Sequence, residues 1–71
     1  EWRQHTLFQA MTLLKLQVGE STFQAFELYA VKGEPPARVA KFLNVSVSAV
    51  YVAKHRAVIK LRKIVRQLQE E

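Results

Sequence analysis

The sequence predicts an all-α fold: a four-helix domain that closes with a C-terminal helix-turn-helix and has no wing. Three observations carry this. Apolar residues recur at three- and four-residue spacing through most of the chain. Chain-breaking residues are confined to Gly19, Gly33 and Pro35-Pro36, which cut the chain into helix-length pieces. The one stretch with strand period, Val45 to Val52, would form a strand with no neighbour to pair its backbone.

The first helix is expected from Trp2 to about Val18. Leu7, Met11, Leu14 and Val18 fall on one stripe, Phe8 and Leu16 widen it, and Leu13 lies off its centre. Gly19 supplies the stop. The second helix opens at Ser21, which with Gln24 three residues on fits a capping box. Phe23, Phe26 and Ala30 share its face, flanked by Glu27 and Tyr29, and Gly33 ends it. Glu34-Pro35-Pro36 leads into a short third helix, because proline suits a first helical turn where its missing N–H has no partner to lose. Val39, Ala40 and Leu43 form the apolar edge of that helix.

The fourth helix settles the valine-rich stretch. Val50, Ala53, Ala57, Leu61, Ile64 and Leu68 are spaced by three or four residues without a break. Each β-branched residue lowers helix propensity by a few tenths of a kcal/mol. Burying a large apolar side chain returns about 1.5–3 kcal/mol, so the seam wins. The helix therefore starts at Val47 or Ser48, Asn44–Ser46 is a turn, and Ser46 is the N-cap.

Short helix, tight turn and long helix make a helix-turn-helix over residues 36–57. Its demands are met in register. Ala40 is small where the helices cross, Leu43 ends the first helix, and Asn44 tolerates the left-handed conformation of the turn. Val45 follows Asn44 and faces inward, and Val50 and Ala53 close the core from the second helix.

Charge and composition narrow the function. The 71 residues carry a net charge of +5, which is unevenly spread. Residues 1–35 hold three cations against four carboxylates, whereas residues 36–71 hold eight against two. A basic half of this kind points to a polyanion. A solvated basic helix face is the plainer alternative. There is no Cys and no Asp, and the two histidines are alone, so neither a metal site nor a catalytic constellation is legible. No cofactor is expected, and no apolar run approaches the length of a membrane span. A reducing, cytoplasmic setting is expected. The chain reads as one domain over residues 1–71. It begins at Glu1 rather than Met, so it is expected to be a fragment of a longer protein.

A recognition helix presents base-reading groups near its N-terminus. Here those are Val47, Ser48, Tyr51, Val52 and His55. Ser48 can donate or accept a hydrogen bond, Val52 can pack on a thymine methyl, and Tyr51 can reach a base edge, sugar or phosphate. Arg38, Lys41, Ser46, Lys54 and Arg56 suit phosphates, which position the protein without reading sequence. Tyr51 and Val52 are apolar for a DNA face, so a protein interface is the competing use.

The stretch STFQAFELYAVKGEPPARVAKFLNVSVSAVYVAKHRAVIKLRK resembles region 4 of bacterial sigma factors, in particular the extracytoplasmic-function group. FQAFELYAVKG looks like the helix of subregion 4.1, and PPARVAKFLNVSVSAVYVAKHRAVIKLR like the helix-turn-helix of subregion 4.2. Ala49, Tyr51, Val52 and Ala53 depart from the commoner family pattern, which implies a different target sequence. The resemblance implies promoter −35 recognition by the second motif helix during transcription initiation. The implied partners are double-stranded promoter DNA, the β flap of core RNA polymerase and an anti-sigma factor, with the domain acting as a monomer. A looser likeness to LuxR-type regulator output domains implies instead a DNA-binding dimer joined through Leu61, Ile64 and Leu68. A helical protein-interaction module without DNA binding is the third reading.

Overall fold

The computed structural model describes residues 2–70, with side chains from His5 onward. It contains four helical elements: α1 (Trp2–Val18), α2 (Glu20–Phe26) continued by a π-helical turn (Glu27–Val31), α3 (Pro36–Leu43) and α4 (Val47–Glu70). No strand occurs among the described residues. The expected all-α helix-turn-helix architecture is therefore present. Helix α4 is the spine. At 1.5 Å per residue its 24 residues reach about 36 Å, close to the 39 Å long axis of the molecule. Every other element packs against it.

Two separate cores line this spine. The first joins Ala10 and Leu14 of α1, Phe26 of α2, and Ala57 and Ile64 of α4. Met11, Val18, Phe23, Val58, Leu61, Val65 and Leu68 pack around its edge. The second core, under the helix-turn-helix, joins Ala25, Val39, Ala40, Val50 and Ala53, with Leu28, Tyr29 and Leu43 at its rim. Adjacent residues Ala25 and Phe26 thus serve different cores, and α4 contributes to both through one seam.

Several local expectations need correction. Leu7 lies on the predicted α1 stripe but is half exposed, and Phe8 and Leu16 are more than 70% exposed. The buried line instead runs through Ala10 and Leu14. Phe8, Thr12 and Leu16 succeed one another at four-residue spacing on the opposite side of the helix, so they cannot widen the core stripe.

The Ser21 capping box does not form. Helix α2 begins one residue earlier, at Glu20, with Gly19 as its cap and no side-chain cap bond. Gly19 takes φ +90°, a conformation glycine reaches without a Cβ clash. Its N–H bonds back to the Lys15 carbonyl and its C=O accepts from Phe23 N–H. One residue therefore closes α1 and opens α2, which leaves Ser21 inside the helix.

Ala30 is exposed rather than sharing a buried face with Phe23 and Phe26. The cause is the π turn, in which Lys32 N–H reaches the Glu27 carbonyl at 2.9 Å. Wider turns wind fewer degrees per residue, so Ala30 falls off the earlier face.

Candidate nucleic-acid interface

The turn between α3 and α4 fixes the geometry of the site. Asn44 adopts φ 60°, ψ 47°, the left-handed conformation expected of it. Val45 N–H then returns to the Ala40 carbonyl at 2.9 Å, and Asn44 N–H to the Lys41 carbonyl at 3.3 Å. This pair of bonds is a Schellman closure, which satisfies carbonyls that the end of α3 would otherwise leave unpaired. Two residues later Ser46 Oγ accepts the Ala49 N–H at 3.1 Å, so Ser46 caps α4. The stop of one helix and the start of the next are thus built from three consecutive residues, Asn44, Val45 and Ser46.

The second core sets how closely the two helices approach. Ala40 is 5% exposed, Val50 0% and Ala53 8%. Small side chains at the crossing let the backbones come near each other. Val45 departs from its expected inward position and is 38% exposed. Its backbone is committed to the Schellman bond, so its side chain lies over the edge. There it lines a groove with Thr22, Leu43 and Ala49.

All five base-reading candidates are exposed. Val47 is 40% exposed, Tyr51 and Val52 are each 48% exposed, and Ser48 and His55 are open to solvent. Along α4, Ser48, Val52 and His55 point away from the seam of Val50, Ala53 and Ala57. Tyr51 sits to one side of that line. Its ring meets the ring of Tyr29 edge-on, with centroids 5.5 Å apart and an interplanar angle of 86°.

The phosphate candidates are also exposed but are not equivalent. Lys41 lies near the end of α3, beside the turn. Arg38 makes an exposed ion pair with Glu34 at 3.5 Å. Such a pair is worth little in water, so an incoming phosphate can displace the carboxylate. Ser46 Oγ already accepts a bond, yet its hydroxyl proton remains a donor. Lys54 and Arg56 leave α4 on opposite sides, two residues apart.

Three residues that lie beside the candidate site were not singled out from the sequence. Lys60 and Lys63 join Arg56 along one groove, which Val18, Thr22 and Ile59 also line. Continuing from Arg56 by four and then three residues would have found them. Tyr29 was placed only as a flank of its own helix. Its ring contact to α4 has no signal in sequence spacing, because the two tyrosines sit on different elements.

No cluster of three or more metal-ligating side chains occurs among the described residues. Among those residues no helix is long and apolar enough to cross a membrane. No curated protein and no solved structure matches the chain significantly. The family model described as sigma-70, region 4 matches residues 8–61, spanning α2, the π turn, the whole helix-turn-helix and most of α1. Domains of that family bind promoter −35 DNA within sigma factors and work with RNA polymerase. With most of its length matched and its turn closed as that motif requires, the chain belongs to the sigma-70 region 4 family.

Proposed function

We propose that this chain is the −35-reading domain of an extracytoplasmic-function sigma factor, one domain of a longer protein. The observation that carries the reading is the α3–α4 turn, which delivers the first two turns of α4 to the surface with Val47, Ser48, Tyr51, Val52 and His55 exposed. A major groove about 12 Å wide admits one helix, and α4 has its basic residues on either side of that exposed end. Ser48 and Val52 read base edges, with Val47, Tyr51 and His55 beside them. Arg38, Lys41, Ser46, Lys54 and Arg56 hold phosphates.

The protein is expected to act as a monomer. What supports this is that Ile64 is 2% exposed and packs in the first core with Leu61 and Leu68 at its edge. The seam that a LuxR-type dimer would use is therefore occupied by α1. Leu28, Val39 and Phe42 line a groove that Glu34 and Arg38 also border, and Phe42 is 76% exposed. We assign this groove to the β flap of RNA polymerase, or to an anti-sigma factor that competes for it.

The test is selection from random duplex DNA by the chain bound to core polymerase, followed by a salt titration. The expected result is one enriched sequence class. Binding to every sequence should weaken on Lys54→Ala or Arg56→Ala, with a salt slope lower by about one per contact removed. Ser48→Ala and Val52→Ala should change which sequence is enriched. Equal loss on all sequences for all four variants rejects the base-reading assignment. Absence of any DNA retention at low salt rejects the whole reading in favour of a protein-interaction module.

A further inference from the structure

We propose that Tyr29 is a positioning residue for sequence recognition: it holds the Tyr51 ring in one orientation, so that the contact Tyr51 makes with DNA is preset before binding. This rests on the reading that the exposed end of α4 faces DNA.

Four observations lead to it. The two rings meet edge-on at 5.5 Å and 86°, inside the range in which aromatic pairs attract beyond simple burial. Tyr29 itself is anchored, since it is partly buried and packs at the rim of the second core. Its backbone is fixed by the turn around it. Lys32 N–H bonds to the Glu27 carbonyl at 2.9 Å, and Glu34 N–H bonds to the Leu28 carbonyl at 2.9 Å. Tyr51, by contrast, is 48% exposed, so one part of its ring rests on Tyr29 while the rest remains open to a ligand.

The consequence is energetic. A half-exposed tyrosine on a free helix face samples several rotamers and loses that freedom when it binds. Immobilising one such side chain costs a factor of about two to ten in binding. A ring already leaning on Tyr29 has lost that freedom in the free protein. Its hydroxyl, which both donates and accepts, is then offered from a fixed position. Tyr29 also ties the helix before the motif to the recognition helix itself.

The experiment uses the 71-residue chain bound to core polymerase, as in the selection above. Random duplex DNA is selected first with the natural sequence. Affinity for the selected site and for a scrambled duplex is then measured for Tyr29→Phe, Tyr29→Leu, Tyr51→Leu and the double variant Tyr29→Leu/Tyr51→Leu. Tyr29→Phe keeps the ring and should keep the preference. Tyr29→Leu should lose about two- to tenfold in discrimination, with unchanged affinity for scrambled DNA and an unchanged salt slope. In the Tyr51→Leu background the Tyr29→Leu change should add nothing, because the partner it positions is gone.

A purely structural role predicts otherwise. Equal loss on both duplexes, retained preference in Tyr29→Leu, or full additivity with Tyr51→Leu each overturns the proposal. If circular dichroism shows that Tyr29→Leu has lost helix, Tyr29→Met replaces it, since an unbranched thioether fills irregular space. If the natural sequence selects no DNA, the base-reading assignment fails and this inference fails with it. If the natural sequence selects a site and the Tyr29 variants select it equally well, this inference fails alone.

Discussion

The two cores of this small domain are packed in opposite ways. The core beneath α1 is built around large side chains, Leu14, Phe26 and Ile64, with Ala10 and Ala57 between them. The core beneath the helix-turn-helix is three alanines and two valines. The first supplies burial, which grows with apolar area removed from water. The second supplies proximity, because small residues let α3 and α4 approach closely. One core should therefore suffer most from truncation and the other from enlargement.

The strongest test of that contrast is Leu14→Ala. Leu14 is 0% exposed, so the change should cost about 2–5 kcal/mol through lost burial and a residual cavity. Urea denaturation should show a large fall in midpoint. A cost under 1 kcal/mol would mean that α1 is not part of the cooperative unit.

Next is Ala40→Leu, at the crossing of the motif helices. Overpacking there should cost about 1–3 kcal/mol. It should also weaken DNA discrimination beyond any loss of stability, since it displaces α4 relative to α3. Unchanged discrimination in a folded Ala40→Leu protein would break the proximity argument.

The turn is the third test. Ser46→Ala removes the acceptor of the Ala49 N–H and should cost about 1 kcal/mol. Asn44→Ala should cost about the same, because an alanine at φ 60° meets the left-handed penalty. Asn44→Gly, free of that penalty, should stay within a few tenths of a kcal/mol of the natural protein. If glycine proves as costly as alanine, the Asn44 side chain has a role beyond its backbone conformation.

The smallest effect belongs to the outer side of α1. Phe8→Ser touches neither core, since Phe8 is 72% exposed. Its thermal midpoint should match the natural protein to within about 0.5 kcal/mol of stability. A larger loss would place Phe8 in a contact that the fold of this chain does not contain.

The contrast between α1 and α4 explains which parts were legible. In α4 an unbroken series of apolar residues, five consecutive three- or four-residue steps from Val50 to Leu68, identifies the core-facing line, although Val47, Tyr51, Val52 and Ile59 lie exposed off it. In α1 they are spread around the helix. Leu7, Phe8, Leu13 and Leu16 are all exposed apolar residues, and nothing in their type separates them from Leu14. The helix-turn-helix was legible because each position is constrained by a different requirement: smallness at Ala40, left-handed tolerance at Asn44 and a hydroxyl at Ser46. The exposure of Ser48, Tyr51 and Val52 followed from the same seam. Val45 was misplaced because a Schellman bond governs its backbone, and sequence period does not register that bond.

The sequence by itself determined the helices, the register of the long seam, the capped left-handed turn and the asymmetric charge. Those properties are local, carried by residue type and by spacing within one segment. Only the tertiary structure decided that Gly19 serves two helices at once, that a π turn drops Ala30 off its face, and that two cores divide Ala25 from Phe26. It alone brought Tyr29 to Tyr51. The physical reason is that these features depend on how separate segments pack together, and the energy of such contacts belongs to pairs of residues that sequence spacing never places side by side.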